Sequence, residues 1–161
     1  MSEQEQIQVT RTVEATPEQL FALLTSPSRH IELDSANMLR GLEDRDAQIH
    51  GVGDQFVMNM NNHLLGDYQV RNTVVAYQEN KTIGWAPQLY PPDGYADKIG
   101  DMRPGGHTYT WTFEPAGPGQ TTVTQTYDWS KVGCPIFRGL FPMLTEEQLG
   151  DSIDRASRAA K

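Results

Sequence analysis

Short runs of alternating hydrophobic and polar residues dominate the chain and predict β-strands. Ile7 and Val9 alternate with polar neighbours, which is the period of two expected of a strand with one buried face. Similar runs recur between turn signals from Gly41 to Asp128, as in antiparallel hairpins. These runs place strands near residues 39–46, 54–60, 65–77, 81–87, 107–115 and 120–129.

Two helix-start signals frame this series of strands. The segment Thr16–Gln19 combines a capping hydroxyl, a proline at the first helical position and a glutamine that can reach back to the cap. Apolar residues follow it, and a second short helix is predicted over Pro27–Leu33. The segment Thr145–Gln148 is a second capping box, which opens a helix that runs to about Ala160.

The terminal helix is amphipathic, with its apolar stripe formed by Leu149, Ile153, Ala156 and Ala160. The spacing of its charges predicts two ion pairs one turn apart, Asp151 with Arg155 and Asp154 with Arg158. Residues 135–144 are rich in large apolar side chains and predict a preceding helix kinked at Pro142.

The order of elements predicts an α+β fold. A strand, one or two short helices, about six antiparallel strands and a long helix fit a curved sheet packed around that last helix. The chain has 161 residues, so we expect one domain over residues 1–161. The proline- and glycine-rich stretch 88–106 is long for a connection and is predicted to be a lid or a binding loop.

The inward faces of the predicted strands carry methionines and aromatic residues, whereas the opposite faces of the last two strands carry mainly threonines. A sheet curved toward the helix would bring these inward side chains together around one cavity. The ligand-binding candidates are Met58, Met60, Trp85, His107, Tyr109, Trp111, Gln125 and Tyr127.

The same residues also describe an ordinary core, because most buried large apolar side chains simply pack. The polar group of His107, Tyr109, Gln125 and Tyr127 favours a cavity, since buried polar atoms need partners. Methionine and aromatic side chains with a few polar tips are what small-molecule pockets use.

Composition and charge limit the classes of binding partner that we expect. Lys and Arg number 13 against 21 Asp and Glu, a net charge of −8, so we expect no nucleic-acid partner and no anionic bilayer partner.

The single cysteine, Cys134, cannot form an internal disulfide, and there is no apolar stretch long enough for a membrane span. A cytoplasmic protein is therefore expected. The scattered histidines predict no metal site, and we expect no cofactor.

Four segments together resemble the START-like superfamily, also called SRPBCC, and within it the bacterial polyketide cyclase/dehydrase-like proteins. They are IQVTRTVEATPEQLF at 7–21, GDQF at 53–56, YTWTFEP at 109–115 and TTVTQTYD at 121–128. The resemblance implies a helix-grip fold with a cavity for a lipid, sterol, polyketide or other hydrophobic ligand. It implies no single reaction, and no catalytic motif can be carried over residue by residue.

His30, Asp34 and His107 are the candidates for proton transfer. His30 and Asp34 are four residues apart, so a helical turn could set imidazole and carboxylate side by side near the cavity mouth. The alternative is that these two residues simply lie at a solvent-exposed helix end and have no catalytic role. His107 begins an inward stripe and is the leading polar pocket candidate, while His50 and His63 are assigned to turns.

Three functions remain open on the sequence. The first is binding of a hydrophobic small molecule by a monomer or homodimer, with the cavity as the whole mechanism. The second is a metal-free cyclase or dehydratase (a lyase-type enzyme), in which a polar pocket residue transfers a proton. The third is a protein-interaction module, which would expose an apolar patch rather than enclose one.

Overall fold

The computed structural model describes residues 5–34, 38–42, 47–62, 65–91 and 94–160. Its strands are β1 (Gln6–Val13), β2 (Leu39–Leu42), β3 (Gln55–Asn62), β4 (Gly66–Gln78), β5 (Thr82–Leu89), β6 (Thr108–Gly117) and β7 (Gln120–Asp128). They form one sheet in the order β1-β7-β6-β5-β4-β3-β2, and every neighbouring pair is antiparallel. The predicted antiparallel sheet is confirmed. Residues 43–46 of the strand predicted over 39–46, and His63, lie outside the described residues.

The helices are α1 (Pro17–Leu24), a 3-10 helix (Pro27–Leu33), α2 (Ala96–Ile99), α3 (Pro135–Arg138) and α4 (Glu146–Ala159). Both predicted capping boxes are present. The amide of Gln19 donates to the Thr16 hydroxyl at 3.1 Å, and the Gln19 side chain accepts from the Thr16 amide at 2.9 Å. The same reciprocal pair joins Thr145 and Gln148 at the start of α4.

Helix α4 packs on the inner face of the sheet, as the amphipathic stripe predicted. Leu149, Ile153 and Ala156 are at most 1% exposed. Ile153 and Ala156 join the larger core cluster with α1 and the central strands, whereas Leu149 packs with residues of β1 and β7. The result is a helix-grip-like α+β fold, in which one antiparallel sheet holds the terminal helix.

The outward faces of β1, β6 and β7 are threonine-rich, as the alternation predicted, and the outward threonines are exposed in β1 and half-buried in β6 and β7. Thr10 and Thr124 hydrogen-bond across β1 and β7 at 3.0 Å, and Thr12 and Thr122 do so at 3.1 Å. The inward residues of β7 are buried at every second position. Which side chains face the helix was therefore readable from the period of two.

Two local predictions were wrong. The helix expected over residues 135–144 ends at Arg138, with Gly139 as its C-cap. Asp154 binds Arg11 of β1 at 2.6 Å instead of Arg158, because Arg11 lies across α4 beside Gly150, where there is no side chain to exclude it. The other predicted pair, Arg155 with Asp151, is present at 2.7 Å.

Candidate functional site

A cavity of about 270 Å³ lies between the inner face of the sheet and the helices. Strands β2 to β7 line it, together with the 3-10 helix, Met143 and Leu144 before α4, and Ser152 on α4. Its volume lies near the lower end of small-molecule pockets in proteins. The fold therefore provides a space at the place where the sequence predicted one.

Seven of the eight residues predicted to bind a ligand line this cavity. They are Met58, Met60, Trp85, His107, Tyr109, Trp111 and Gln125. The eighth, Tyr127, is fully buried and stacks on Tyr109, with 4.8 Å between ring centroids and 1° between the planes. It supports the cavity wall from behind and is not part of the lining.

His30 also lines the cavity and is 4% exposed, so the solvated helix end considered for it is wrong. Its Nε2 lies 2.8 Å from the carbonyl oxygen of Leu24 and donates to it. Burial lowers the pKa of His30 to about 4, against a smaller raising effect of this hydrogen bond. The ring is therefore neutral at pH 7, with the proton on Nε2 and a lone pair on Nδ1.

Asp34 lies at the end of the 3-10 helix, and its Oδ2 accepts from the amides of Met38 and Leu39, both at 2.7 Å. The carboxylate thus binds the backbone at the start of β2, and Asp34 also lines the cavity. Since His30 uses Nε2 on Leu24 and its Nδ1 has no partner, these two side chains do not form the expected imidazole–carboxylate pair.

His107 immediately precedes β6 and is surrounded by aromatic rings. Its centroid lies 5.3–6.5 Å from those of Tyr109, Tyr127, Phe137 and Phe141. Desolvation in this setting lowers the pKa of His107 to about 4, so this ring too is neutral at pH 7. His107 lines the main cavity and also a second, smaller one of about 120 Å³.

Residues of the 88–106 stretch form part of the wall of the second cavity. Leu89, Met102 and Pro104 line it beside Phe137 and Leu140, and it shares Tyr68 and His107 with the main cavity, among others. Residues 92 and 93 of the stretch lie outside the described residues, and its described part is less irregular than predicted, because β5 continues to Leu89 and α2 forms within it. Its role as a lid stays a prediction.

Within the described residues, five buried polar side-chain atoms have no hydrogen-bond partner, and all five belong to residues that line the main cavity. They are His30 Nδ1, Asn72 Nδ2, His107 Nδ1, Trp111 Nε1 and Gln125 Oε1. These residues are 2–7% exposed. Buried polar groups without partners are rare and costly, so their concentration in residues around one cavity is unusual for a packed core.

Sequence reasoning missed the contribution of β4. Tyr68, Val70 and Asn72 occupy alternate positions on this strand and line the cavity. The signal was present, because the same period of two that selected Met58 and Met60 on β3 also runs through β4. The pairing of β3 with β4 places Met60 opposite Tyr68 and Met58 opposite Val70, so these residues of the two strands lie on the same face of the sheet.

The tyrosines of the site are neutral at physiological pH. Burial raises the pKa of Tyr68, and it raises that of Tyr109 well above 10, with further contributions from the neighbouring Tyr127. Burial likewise raises the pKa of Tyr127 to about 12. The phenols therefore present hydroxyl groups rather than phenolate charges.

Among residues 5–34, 38–42, 47–62, 65–91 and 94–160, no group of three or more His, Cys, Asp or Glu side chains is placed to hold a metal ion. No helix in the same described ranges is both long enough and apolar enough to span a bilayer.

Comparison with known proteins places this architecture in a family. A family model described as polyketide cyclase/dehydrase and lipid transport matches residues 4–161. The uncharacterized protein Rv0088 of Mycobacterium tuberculosis is 32% identical over 128 residues, which cover 78% of this chain and 49% of Rv0088. The chain thus spans about half the length of this curated relative.

Solved structures share the fold. Protein Ms6760 of Mycobacterium smegmatis superposes with a TM-score of 0.66 at 13% identity, covering 97% of this chain and 90% of Ms6760. The di-domain ARO/CYC StfQ from the steffimycin biosynthetic pathway superposes with a TM-score of 0.60 at 16% identity, covering 96% of this chain and 44% of StfQ. The resemblance noted in the sequence is confirmed, and the chain belongs to the polyketide cyclase/dehydrase and lipid transport family of SRPBCC proteins.

Proposed function

We propose that this protein binds a hydrophobic small molecule, such as a lipid, sterol, polyketide or aromatic compound, in the cavity between the sheet and α4. One observation carries the proposal: the five buried polar atoms without partners all belong to residues around this cavity. A core that served packing alone would be expected to pair such atoms or replace them with apolar groups, because each unpaired one costs about 1–3 kcal/mol.

The rest of the lining supports a hydrophobic guest. Met58, Met60 and Trp85 offer adaptable apolar and aromatic surface, with only a few polar groups among them. Family membership points the same way, since the matching family model is described by polyketide chemistry and lipid transport. The ligand-binding residues proposed from the sequence are retained, with Tyr127 moved to a supporting position behind Tyr109.

The second candidate is a metal-free cyclase or dehydratase. His30 and His107, which line the cavity and have neutral imidazoles at pH 7, favour it, because a neutral imidazole can take a proton from a substrate. A pKa of about 4 makes each ring a weak base near pH 7. Binding without chemistry is therefore the better-supported function.

Native mass spectrometry of the purified protein tests the proposal. We expect a hydrophobic molecule to co-purify, and added hydrophobic aromatic or fatty compounds to change the fluorescence of Trp85 or Trp111 at the cavity wall. A carrier should release its ligand with unchanged mass, whereas a dehydratase should release a product lighter by one water. Removal of its acid or base should then slow turnover by about 10²–10⁴-fold.

A cavity-filling substitution gives the matched control. Gln125→Trp places an indole into the cavity, while Thr126→Trp places the same side chain on the outer face of the same strand. We expect Gln125→Trp to lose the co-purified molecule and the fluorescence response while still folding, and Thr126→Trp to keep both. Equal binding by both folded variants, or no binding of any hydrophobic compound by the wild type, would overturn the proposal.

A further inference from the structure

Residues 94–106, which we call the strap, form part of the wall of the second cavity through Met102 and Pro104. Among the strap residues whose burial the structure describes, Met102 is the one buried side chain, at 6% exposed. So little buried apolar surface contributes little to holding the strap in place. Segments of this kind open locally while the rest of a protein stays folded.

A tyrosine hydroxyl joins the strap to the sheet by taking the place of one backbone hydrogen bond. Gln69 and Tyr90 lie opposite each other, next to the β4–β5 pair of Val70 with Leu89. The Tyr90 amide donates directly to the Gln69 carbonyl oxygen at 3.0 Å. The return bond is bridged, because the Gln69 amide donates to Tyr95 Oη at 2.8 Å and this hydroxyl donates to the Tyr90 carbonyl oxygen at 3.2 Å. A regular antiparallel pair exchanges both bonds directly, so the Tyr95 hydroxyl is inserted into the ladder.

The polar contacts of the strap are ones that water can replace. A water molecule can accept from one backbone group and donate to another, as the Tyr95 hydroxyl does, with a similar enthalpy. Lys98 Nζ donates to the carbonyl oxygen of Leu65 at 2.9 Å, and the Arg103 amide donates to the sulfur of Cys134, a weak acceptor, at 3.2 Å. Release of the strap therefore exchanges these contacts for contacts with water at a small cost.

The strap also supports a side chain that is common to both cavities. Tyr95 packs edge-on against Tyr68, with 6.4 Å between the ring centroids and 90° between the planes. Tyr68 lines the main cavity and the second one, as do His107 and Met143. Release of the strap would thus open the second cavity to solvent and free Tyr68 to move at the boundary between the two.

From these contacts we propose that the strap is a gate for ligand exchange, held closed by the Tyr95 hydroxyl and by Lys98, and that ligands reach the main cavity through the second one. Neither Tyr95 nor Lys98 is among the described residues that line the two cavities. A gate that does not touch the ligand changes its entry and release rates by the same factor and leaves Kd unchanged. The passage of a ligand rests on the proposed binding function, whereas the opening of the strap is tested without any ligand.

Amide hydrogen exchange of the ligand-free protein tests the opening. Lys98→Met removes one contact of the strap and leaves the bond between the Gln69 amide and Tyr95 in place. If the strap opens as a unit, the amides of Gln69 and Met102 should nevertheless exchange about fivefold faster in this variant. Lys81→Met, at an exposed position in the β4–β5 turn, is the matched control and should change neither. Unchanged exchange of the Gln69 amide in Lys98→Met would overturn opening as a unit.

Stopped-flow fluorescence with N-phenyl-1-naphthylamine, an uncharged hydrophobic fluorophore, measures ligand entry and release. Tyr95→Phe removes the bridging hydroxyl and keeps the ring. We expect its association and dissociation rates both to rise about fivefold, with Kd within about twofold of the wild-type value, because each exchange event passes through the open strap. Tyr90→Phe removes a hydroxyl from the residue whose ring lies 5.2 Å from the Arg71 guanidinium, and it should change neither rate.

The outcomes distinguish the gate from the proposed function. If the fluorophore binds but its rates are unchanged in Tyr95→Phe and Lys98→Met, the gate is overturned while hydrophobic binding stands. Faster release with unchanged association would also overturn it, because the two variants would then weaken the bound state rather than open a path. If neither this fluorophore nor any other hydrophobic compound binds the wild type, the proposed function fails and the gate fails with it, whatever the amide exchange shows.

Discussion

The imidazole of His30 lies nearly parallel to the indole of Trp85, with 4.9 Å between the ring centroids and 26° between the ring planes. The same ring meets Phe56 edge-on at 5.6 Å, so His30 is enclosed by aromatic faces as well as by the backbone of Leu24. Such surroundings stabilise a neutral imidazole and oppose its protonation. This arrangement gives the protein a defined response to acid.

The free energy of unfolding should fall as pH drops from about 6.5 toward 4. His30 and His107 each have a folded pKa of about 4 against an ordinary value of 6.5, so the unfolded chain takes up protons first. Their contribution is complete above pH 6.5 and is lost as pH falls through this window, on the order of 3 kcal/mol for each. Denaturant titrations at a series of pH values measure it.

Glutamine variants isolate the histidine contribution from that of the carboxylates. His30→Gln and His107→Gln should each flatten the pH dependence, whereas His50→Gln, at an exposed position, should leave it unchanged. Equal slopes in all four proteins would mean that the buried histidines do not set the acid response.

Gly106→Ala should destabilise the protein by at least about 2 kcal/mol. Gly106 has a φ of +101°, and a Cβ there would lie 2.7 Å from the carbonyl oxygen of Lys131 and 2.9 Å from the Cα of Val132. Both strain and collision oppose the substitution, and the residue directly precedes His107. Thermal unfolding measures the effect. Gly133→Ala, where a Cβ would meet nothing within 4 Å, should change stability by less than about 0.5 kcal/mol.

Leu149→Asp should lower the free energy of unfolding by about 4 kcal/mol or more. Leu149 is 1% exposed where α4 meets β1 and β7, so the change removes a buried side chain and buries a charge. The same change at Leu140, which is 46% exposed, serves as the control and should cost much less. Denaturant unfolding of both variants compares them, and equal losses would contradict the packing of α4.

The effect of Gly150→Ala on the free energy of unfolding should depend on Arg11. Alanine favours a helix over glycine by about 1 kcal/mol, but its Cβ would collide with the Arg11 guanidinium that binds Asp154. We therefore expect little or no gain in the wild type and a gain of about 1 kcal/mol in an Arg11→Ala background. A double-mutant cycle by denaturant unfolding measures this coupling, and additive effects would contradict the contact.

Much of the fold was contained in local sequence patterns. The two capping boxes at Thr16 and Thr145 fixed where α1 and α4 begin, because the side chains that form them are within three residues of one another. The period of two along β3, β6 and β7 separated the inward methionines and aromatics from the outward threonines. Of the seven proposed ligand-binding residues that line the cavity, six follow from that alternation, and Trp85 of β5 is the seventh.

Only the tertiary structure decided the features that depend on distant parts of the chain. Asp154 forms its ion pair with Arg11 rather than Arg158 because β1 lies against α4. The two paired residues are 143 positions apart in the sequence. Tyr127 was displaced from the cavity by its stack on Tyr109, and His30 was buried against Trp85 rather than left at a solvated helix end. Alternation along one strand tells which face a side chain occupies, but not how neighbouring strands and helices divide that face between packing and cavity. That division is made by the curvature and register of the whole sheet.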